Sequence, residues 1–459
     1  MGNGCALITT VLRAFGLLAV ASSMGLGADS VRDPAEVMKQ VVAKVREAVT
    51  RSVSYTCVET VERDFYRPAA STLERPCSTL LELRKHPTLD MVLRPLYSDR
   101  LRLDVTLARG GEMYSWVGAS HFEDAGIYKV VKEGPIDSGA FAALLDVVFL
   151  EDVKDFHFEG HKVIDGKDLM EYSFEVAKAN SNDEVSVQGS FVKTAYSGSV
   201  WVNPATNDVV RIRVKTAELP AESGACEIDK TLDFGKVAIG NALLLLPTLS
   251  QTRFVAPDGI ETENNASFAN CREYQGESTI SYSAPPALAA SPASGDVPAP
   301  PPRAPGGLRF TMDLVEPIDT ARAAAGDLFR ARLVQPLRDR KSKVIARSGS
   351  MVEGRLLRVQ SIHILPKQVL VVLAPRALEI DGEKVPFAGN RDWTRLWAEA
   401  RGGFRRPAVK VLMPDESEAP AGVFTFPGEH AVIRKGFRSD WWTALPDAGR
   451  GSGLPAAIH

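Results

Sequence analysis

The stretch from Gly198 to Val214 constrains this chain more than any other, because it writes a complete β-hairpin. It reads Gly-Ser-Val-Trp-Val-Asn-Pro-Ala-Thr-Asn-Asp-Val-Val-Arg-Ile-Arg-Val. Val200 and Val202 flank Trp201, and beyond the turn Val210, Ile212 and Val214 alternate with Arg211 and Arg213. Period-two alternation marks a half-buried antiparallel strand. Asn203-Pro204 opens the turn and Asn207-Asp208 closes it: proline fixes φ, while Asn and Asp bond their own backbone and tolerate a left-handed conformation. A sheet built on this hairpin is expected to extend in both directions along the chain.

The flanking sequence supplies that sheet. Asp33-Pro34-Ala35-Glu36 reads as a helix start, and Met38, Val41, Val45, Ala48 and Val49 share one helical face. Strands are expected from Ser54 to Val58 and from Arg100 to Leu107, with Gly110-Gly111 turning the second back through Trp116. A second helix is expected from Ser138 to Phe149. Strands resume at Phe156, turn at Asp165-Gly166, and continue through Tyr172–Phe174, Phe191–Tyr196, the hairpin, Lys230–Phe234, Leu243–Val255 and Glu261–Tyr274.

The stretch 284–307 holds eight prolines among Ala, Ser and Gly and reads as a semi-extended linker. Beyond it Leu308, Phe310, Met312 and Leu314 alternate, Val369–Leu373 is a continuous apolar run, and Asp381-Gly382 signals a hairpin. Short strands at this spacing predict a small β-barrel, closed by Val423–Trp442, with a short helix over 392–401. Trp441-Trp442 is read as barrel core, with peripheral membrane contact as the alternative. The expected division is therefore a signal peptide (1–28), a first domain (29–283), the linker (284–307), a barrel (308–445) and a disordered tail (446–459). The fold class is mainly β with a few helices.

Arg13 followed by a short apolar core and small residues up to Ala28 predicts a secretory signal peptide, hence a periplasmic or secreted protein. Four cysteines remain past it: Cys57, Cys77, Cys226 and Cys271. In an exported chain an even count predicts two disulfides, and nearness in sequence favours Cys57–Cys77 with Cys226–Cys271. The net charge of −3 argues against a nucleic-acid partner.

A helix feeding an antiparallel sheet, a second helix inserted in it, and the hairpin Gly-Ser-Val-Trp-Val-Asn-Pro-x-Thr-x-x-Val-x-Arg-Ile together resemble the LolA/LolB-type periplasmic lipoprotein carriers. Phe158-Glu159-Gly160 to Asp165-Gly166, and Leu245-Leu246-Pro247 ahead of Arg253, fit the same pattern over about residues 30–280. The resemblance implies a curved, incomplete barrel whose apolar concavity, covered by helices, holds acyl chains. The insert 67–94, the cysteines and the second module depart from that pattern.

No catalytic constellation is legible. There is no Gly-x-Ser-x-Gly elbow and no His-Glu-x-x-His motif. Gly134–Gly139 has P-loop spacing, but Ala140 stands where the lysine belongs; Asn180–Glu184 begins like a calcium loop, but Val185 replaces the glycine of the sharp turn. No cofactor or metal is expected, and the function expected is non-enzymatic. The strand residues Leu101, Leu103, Val105, Leu107, Val200, Val202, Val210 and Ile212 either pack against the helices or line a cavity for a lipid or acyl ligand. The second requires a sheet too wide for its helices. The alternative is an envelope scaffold that docks a protein partner through its C-terminal barrel.

Overall fold

The structure, a computed structural model, describes residues 32–50, 55–69, 75–86, 88–108, 111–119, 122, 126–139, 141, 143–187, 189–273, 305–391 and 420–444. The expected signal peptide, the linker before residue 305, the helix over 392–401 and the tail lie outside them.

Ten strands form the first sheet: β1 (Tyr55–Pro68), β2 (Leu93–Ala108), β3 (Gly111–Trp116), β4 (His157–Ile164), β5 (Lys167–Val176), β6 (Ala195–Asn203), β7 (Asp208–Ala217), β8 (Glu227–Ile239), β9 (Ala242–Val255) and β10 (Glu261–Glu273). Across the sheet they run β4-β5-β6-β7-β8-β9-β10-β1-β2-β3, every pair antiparallel. This is an open, curved half-barrel with helices on one face, the architecture that the resemblance to LolA/LolB-type carriers implies. The Asp165-Gly166 turn joins β4 to β5 with both residues at positive φ (49° and 74°), as a two-residue hairpin requires.

Helix α1 (Pro34–Thr50) begins at the proline, and Asp33 Oδ1 accepts the Ala35 N–H at 3.1 Å. Its face of Val37, Met38, Val41 and Val45 packs on Val200, Val202, Ile212 and Val214. The helix expected from Ser138 is shorter: α2 is Cys77–Lys85, α3 is Ile127–Val130, and α4 is Ala143–Asp146, widening into a π-helical turn over Val147–Asp152. Gly139 is left-handed at φ 84°, and the Glu112 carboxylate accepts the N–H groups of Gly139, Phe141 and Ala143 at 2.7, 2.9 and 3.5 Å. That carboxylate caps the helix from another strand and fixes its start late.

The disulfides are Cys57–Cys271 and Cys77–Cys226, separated by 214 and 149 residues. The pairing by sequence proximity is thus corrected. β10 wraps round to lie beside β1, bringing Cys271 to Cys57, while α2 from the insert lands at the start of β8.

In the second module the strands are β11 (Arg309–Leu314), β12 (Leu328–Leu333), β13 (Met351–Ile362), β14 (Gln368–Ile380), β15 (Glu383–Pro386), β16 (Ala388–Asn390), β17 (Gly422–Pro427) and β18 (Arg438–Ala444). Pairing runs β11-β12-β13-β14-β15, and β18 joins β16 to β11, which closes a small barrel. Trp441, fully buried, fills its core beside Phe310 and Phe424.

The barrel is docked on the half-barrel by backbone pairing. β13 lies against β2 with Gln360 opposite Asp99, Ser361 opposite Ser98 and Ile362 opposite Tyr97. The Arg102 N–H donates to Ala325 O and the Ala325 N–H to Arg100 O, both at 2.8 Å. Gly326 is required there, since a Cβ would meet Arg102 O at 2.3 Å and Trp116 Cε3 at 2.8 Å. Arg102 pairs with Asp327 across the same junction.

Candidate functional site

Strands β7 to β10 bring a mixed surface to the helix-covered face. Along β8, Ile228, Lys230 and Leu232 alternate with Glu227 and Asp229. On the opposite face Arg213 grips Asp229 at 2.9 and 2.5 Å, and Arg253 reaches Glu227 at 2.8 Å. Lys230 is therefore an amine on the inner face of a curved sheet, and it meets a strap of chain, residues 131–139, that crosses that face.

The strap is pinned by side chains from four strands. Arg63 Nη1 donates to Glu133 O at 2.7 Å, Asn264 Nδ2 to Pro135 O at 3.0 Å, and Thr252 Oγ1 to Asp137 Oδ2 at 3.2 Å. Lys230 Nζ sits 2.7 Å from Asp137 Oδ1 and donates to Ser138 O at 3.4 Å. Burial opposes the lysine's charge, but the Asp137 and Asp183 carboxylates outweigh it and hold its pKa above the ordinary value. Asp183, raised by burial, accepts from Thr194 Oγ1 at 2.8 Å and Thr216 Oγ1 at 3.3 Å. Glu59 lies in the same network with Oε2 buried and accepting no hydrogen bond. Burial, then the charges of Glu112 and Asp137, push its pKa up to about 8, so it is neutral at pH 7.

Between the strap and the sheet lies a cavity of about 500 Å³. Phe65, Leu144, Val214, Ile228, Phe254 and Ile260 give it apolar surface; Asp137, Asp183, Glu184, Thr216, Lys230 and Asp258 are among its polar groups. The Phe65 ring stacks on Tyr97 at 4.0 Å and 20° at one end. An apolar cavity with a few convergent polar groups binds a ligand and orients it. Among the described residues no cluster of three or more His, Cys, Asp or Glu has the geometry to hold a metal.

The eight residues singled out in the sequence lie elsewhere. Leu103, Val105, Val200, Val202 and Ile212 are fully buried against protein. Leu101, Leu103 and Val105 pack with Ile127, Val130 and Phe141, and Leu107 is half-buried beside them. Val200, Val202 and Ile212 pack under α1. Val210 leaves the inner face altogether. A bulge sets Val202 opposite Val209, so Val209 takes the buried position and Val210 becomes the extra residue. None of the eight lines this cavity, while Leu101 lines a second cleft beside it. The residues that do line it were legible only as an oddity: Lys230 in phase with Leu232 on an otherwise apolar strand face.

No family model and no curated protein matches this chain. Solved structures do. A LolA-superfamily protein from Nitrosomonas europaea is 8% identical with a TM-score of 0.27, covering 52% of this chain and 94% of that chain. A DUF1329-family protein from Desulfovibrio piger is 13% identical with a TM-score of 0.27, covering 54% and 96%. A lipoprotein-sorting protein domain from Vibrio parahaemolyticus is 11% identical with a TM-score of 0.25, covering 53% and 95%. At these TM-scores no conclusion rests on the likeness; the half-barrel stands on its own strand pairings.

Proposed function

We propose that this is an exported, non-enzymatic envelope protein that binds a lipid or other apolar ligand within its half-barrel. The observation that carries the reading is the cavity of about 500 Å³ between the strap and β7–β10, with its apolar surface and the polar groups set in it. Its size lies within the roughly 300–1,000 Å³ typical of small-molecule sites. Two disulfides fit an oxidising compartment. The ligand site is moved from the strand faces first considered to the residues under the strap.

The test is titration with the neutral apolar probe N-phenyl-1-naphthylamine, comparing the wild type with Ile228→Trp. Ile228 is half-buried and lines the cavity, so an indole there fills the space without opening the core. Saturable probe binding that falls at least tenfold in Ile228→Trp is expected. Saturable binding indifferent to the substitution would place the ligand elsewhere.

A second reading is a scaffold whose half-barrel is filled by its own side chains and whose barrel docks a partner. The complete burial of Leu103, Val200, Val202 and Ile212 against protein favours it for that part of the sheet. Absence of any probe binding by the folded protein would select it.

A further inference from the structure

Beside the cavity lies a second cleft, of about 530 Å³, walled by both halves of the molecule. The half-barrel contributes Arg63, Arg100, Lys129 and Lys132, and the barrel contributes Arg358 and Arg376. Against these six cations stand two acids, Asp99 and Glu133. In a chain of net charge −3 this concentration is local and not a reflection of composition. Both acids are already committed, and so are three of the cations: Arg63 and Arg358 hold those acids, and Arg100 lies 2.7 Å from Glu62 at the rim. Asp99 is gripped by Arg63 at 2.8 and 2.7 Å, and Glu133 Oε2 lies 2.7 Å from Arg358 Nη2. Lys129 and Lys132 are exposed, and neither has an ion-pair partner among the described residues. Gln360, only 2% exposed, also lines the cleft, and its Oε1 has no hydrogen-bond partner.

The cleft and the cavity adjoin. Tyr97 and Gly134 line both, and Phe65, stacked on Tyr97, faces the cavity. Gly134 sits at φ 76°, where a Cβ would lie 3.0 Å from Arg63 Nη1 and 3.2 Å from Phe65 Cζ. A glycine is what lets the strap pass so close to the stacked rings and the guanidinium.

We propose that the cleft holds the phosphate-bearing headgroup of an anionic amphiphile whose apolar chain enters the adjoining cavity past Tyr97. This rests on the reading of the cavity as a lipid site and names the chemistry of what it takes. Guanidinium and ammonium groups converging on one space match a phosphate's several acceptor oxygens better than a neutral headgroup. Because Arg358 and Arg376 come from the barrel, the headgroup site is complete only when the two modules are docked.

The test uses the full chain and three probes: a lysophosphatidylglycerol, a lysophosphatidylcholine of the same chain length, and inorganic phosphate. Each is titrated calorimetrically against the wild type and Lys129→Glu/Lys132→Glu, both positions exposed and outside any pairing that holds the fold. The anionic lysolipid is expected to bind about tenfold more tightly than the zwitterionic one, with the advantage shrinking as salt is added. That advantage is also expected to vanish in the double variant, where the anionic and the zwitterionic lysolipid bind alike. Equal affinities for the two lysolipids, or an advantage retained in the variant, would overturn the headgroup site and leave the lipid cavity standing. If neither lysolipid binds, the lipid reading falls with it. Inorganic phosphate bound as tightly as the anionic lysolipid, and lost in the variant, would make this a free-anion site and overturn the amphiphile.

Discussion

Glu59 is the residue whose state the fold dictates most strongly. Its carboxyl is enclosed, lacks a partner for Oε2 and faces the charges of Glu112 and Asp137, so its pKa rises to about 8. An acid with a raised folded pKa binds more protons folded than unfolded. Its contribution to stability is complete below its unfolded pKa and is lost as pH climbs through about 8. Glu59→Gln should therefore leave the melting temperature nearly unchanged at pH 5. At pH 8.5 it should raise stability by about 1–3 kcal/mol, on the scale of about 1.4 kcal/mol per pKa unit. Equal effects at both pH values would mean that Glu59 is ionised in the folded protein. Lys230 is the counterpart: Lys230→Met removes the cation paired with Asp137 in the strap network. It should cost about 3–5 kcal/mol in urea unfolding, the scale for breaking a buried pair from one side.

At the scale of elements, local chemistry was the most legible. The helix start at Asp33-Pro34 and the turns at Asp165-Gly166 and Asp381-Gly382 lie where the residues place them, because each is settled within a few positions. What sequence pattern could not reach are features settled by distant partners. The late start of α4 depends on Glu112, about 30 residues away along the chain, and the place of Val210 depends on a bulge opposite Trp201 and Val202. The cavity is not legible in the pattern because the strap beside it is held by Arg63, Lys230, Thr252 and Asn264, polar residues on faces where alternation leads one to expect apolar ones. The disulfides belong here too. Peptide mapping of the oxidised protein should recover Cys57–Cys271 and Cys77–Cys226, and any Cys57–Cys77 peptide would contradict the wrapping of β10 onto β1. Replacing Cys77 and Cys226 by serine should cost about 2–5 kcal/mol and free α2 from β8.

The whole molecule is two β structures sharing strand pairs, an arrangement that composition alone did not reveal. The proline-rich stretch reads as a spacer between independent bodies, yet β13 lies in register with β2 and the Ala325–Gly326 segment hydrogen-bonds along it. Such docking fixes the basic cleft, since Leu357, Arg358, Val359, Gln360 and Arg376 in its lining are barrel residues. Ser98 and Ser361 stand opposite each other across the junction, so Ser98→Cys/Ser361→Cys should form a disulfide on oxidation without loss of the native pairs. Failure of that bond to form in folded protein would show that the modules separate in solution.

The most direct test of the central claim, a half-barrel that holds an apolar ligand beneath its strap, is native mass spectrometry with lipid extraction of the full chain purified from an oxidising compartment. A stoichiometric adduct of lipid mass, absent from Ile228→Trp, is the predicted result. A folded protein that carries no added mass, and takes none up when incubated with lysolipid, would contradict it.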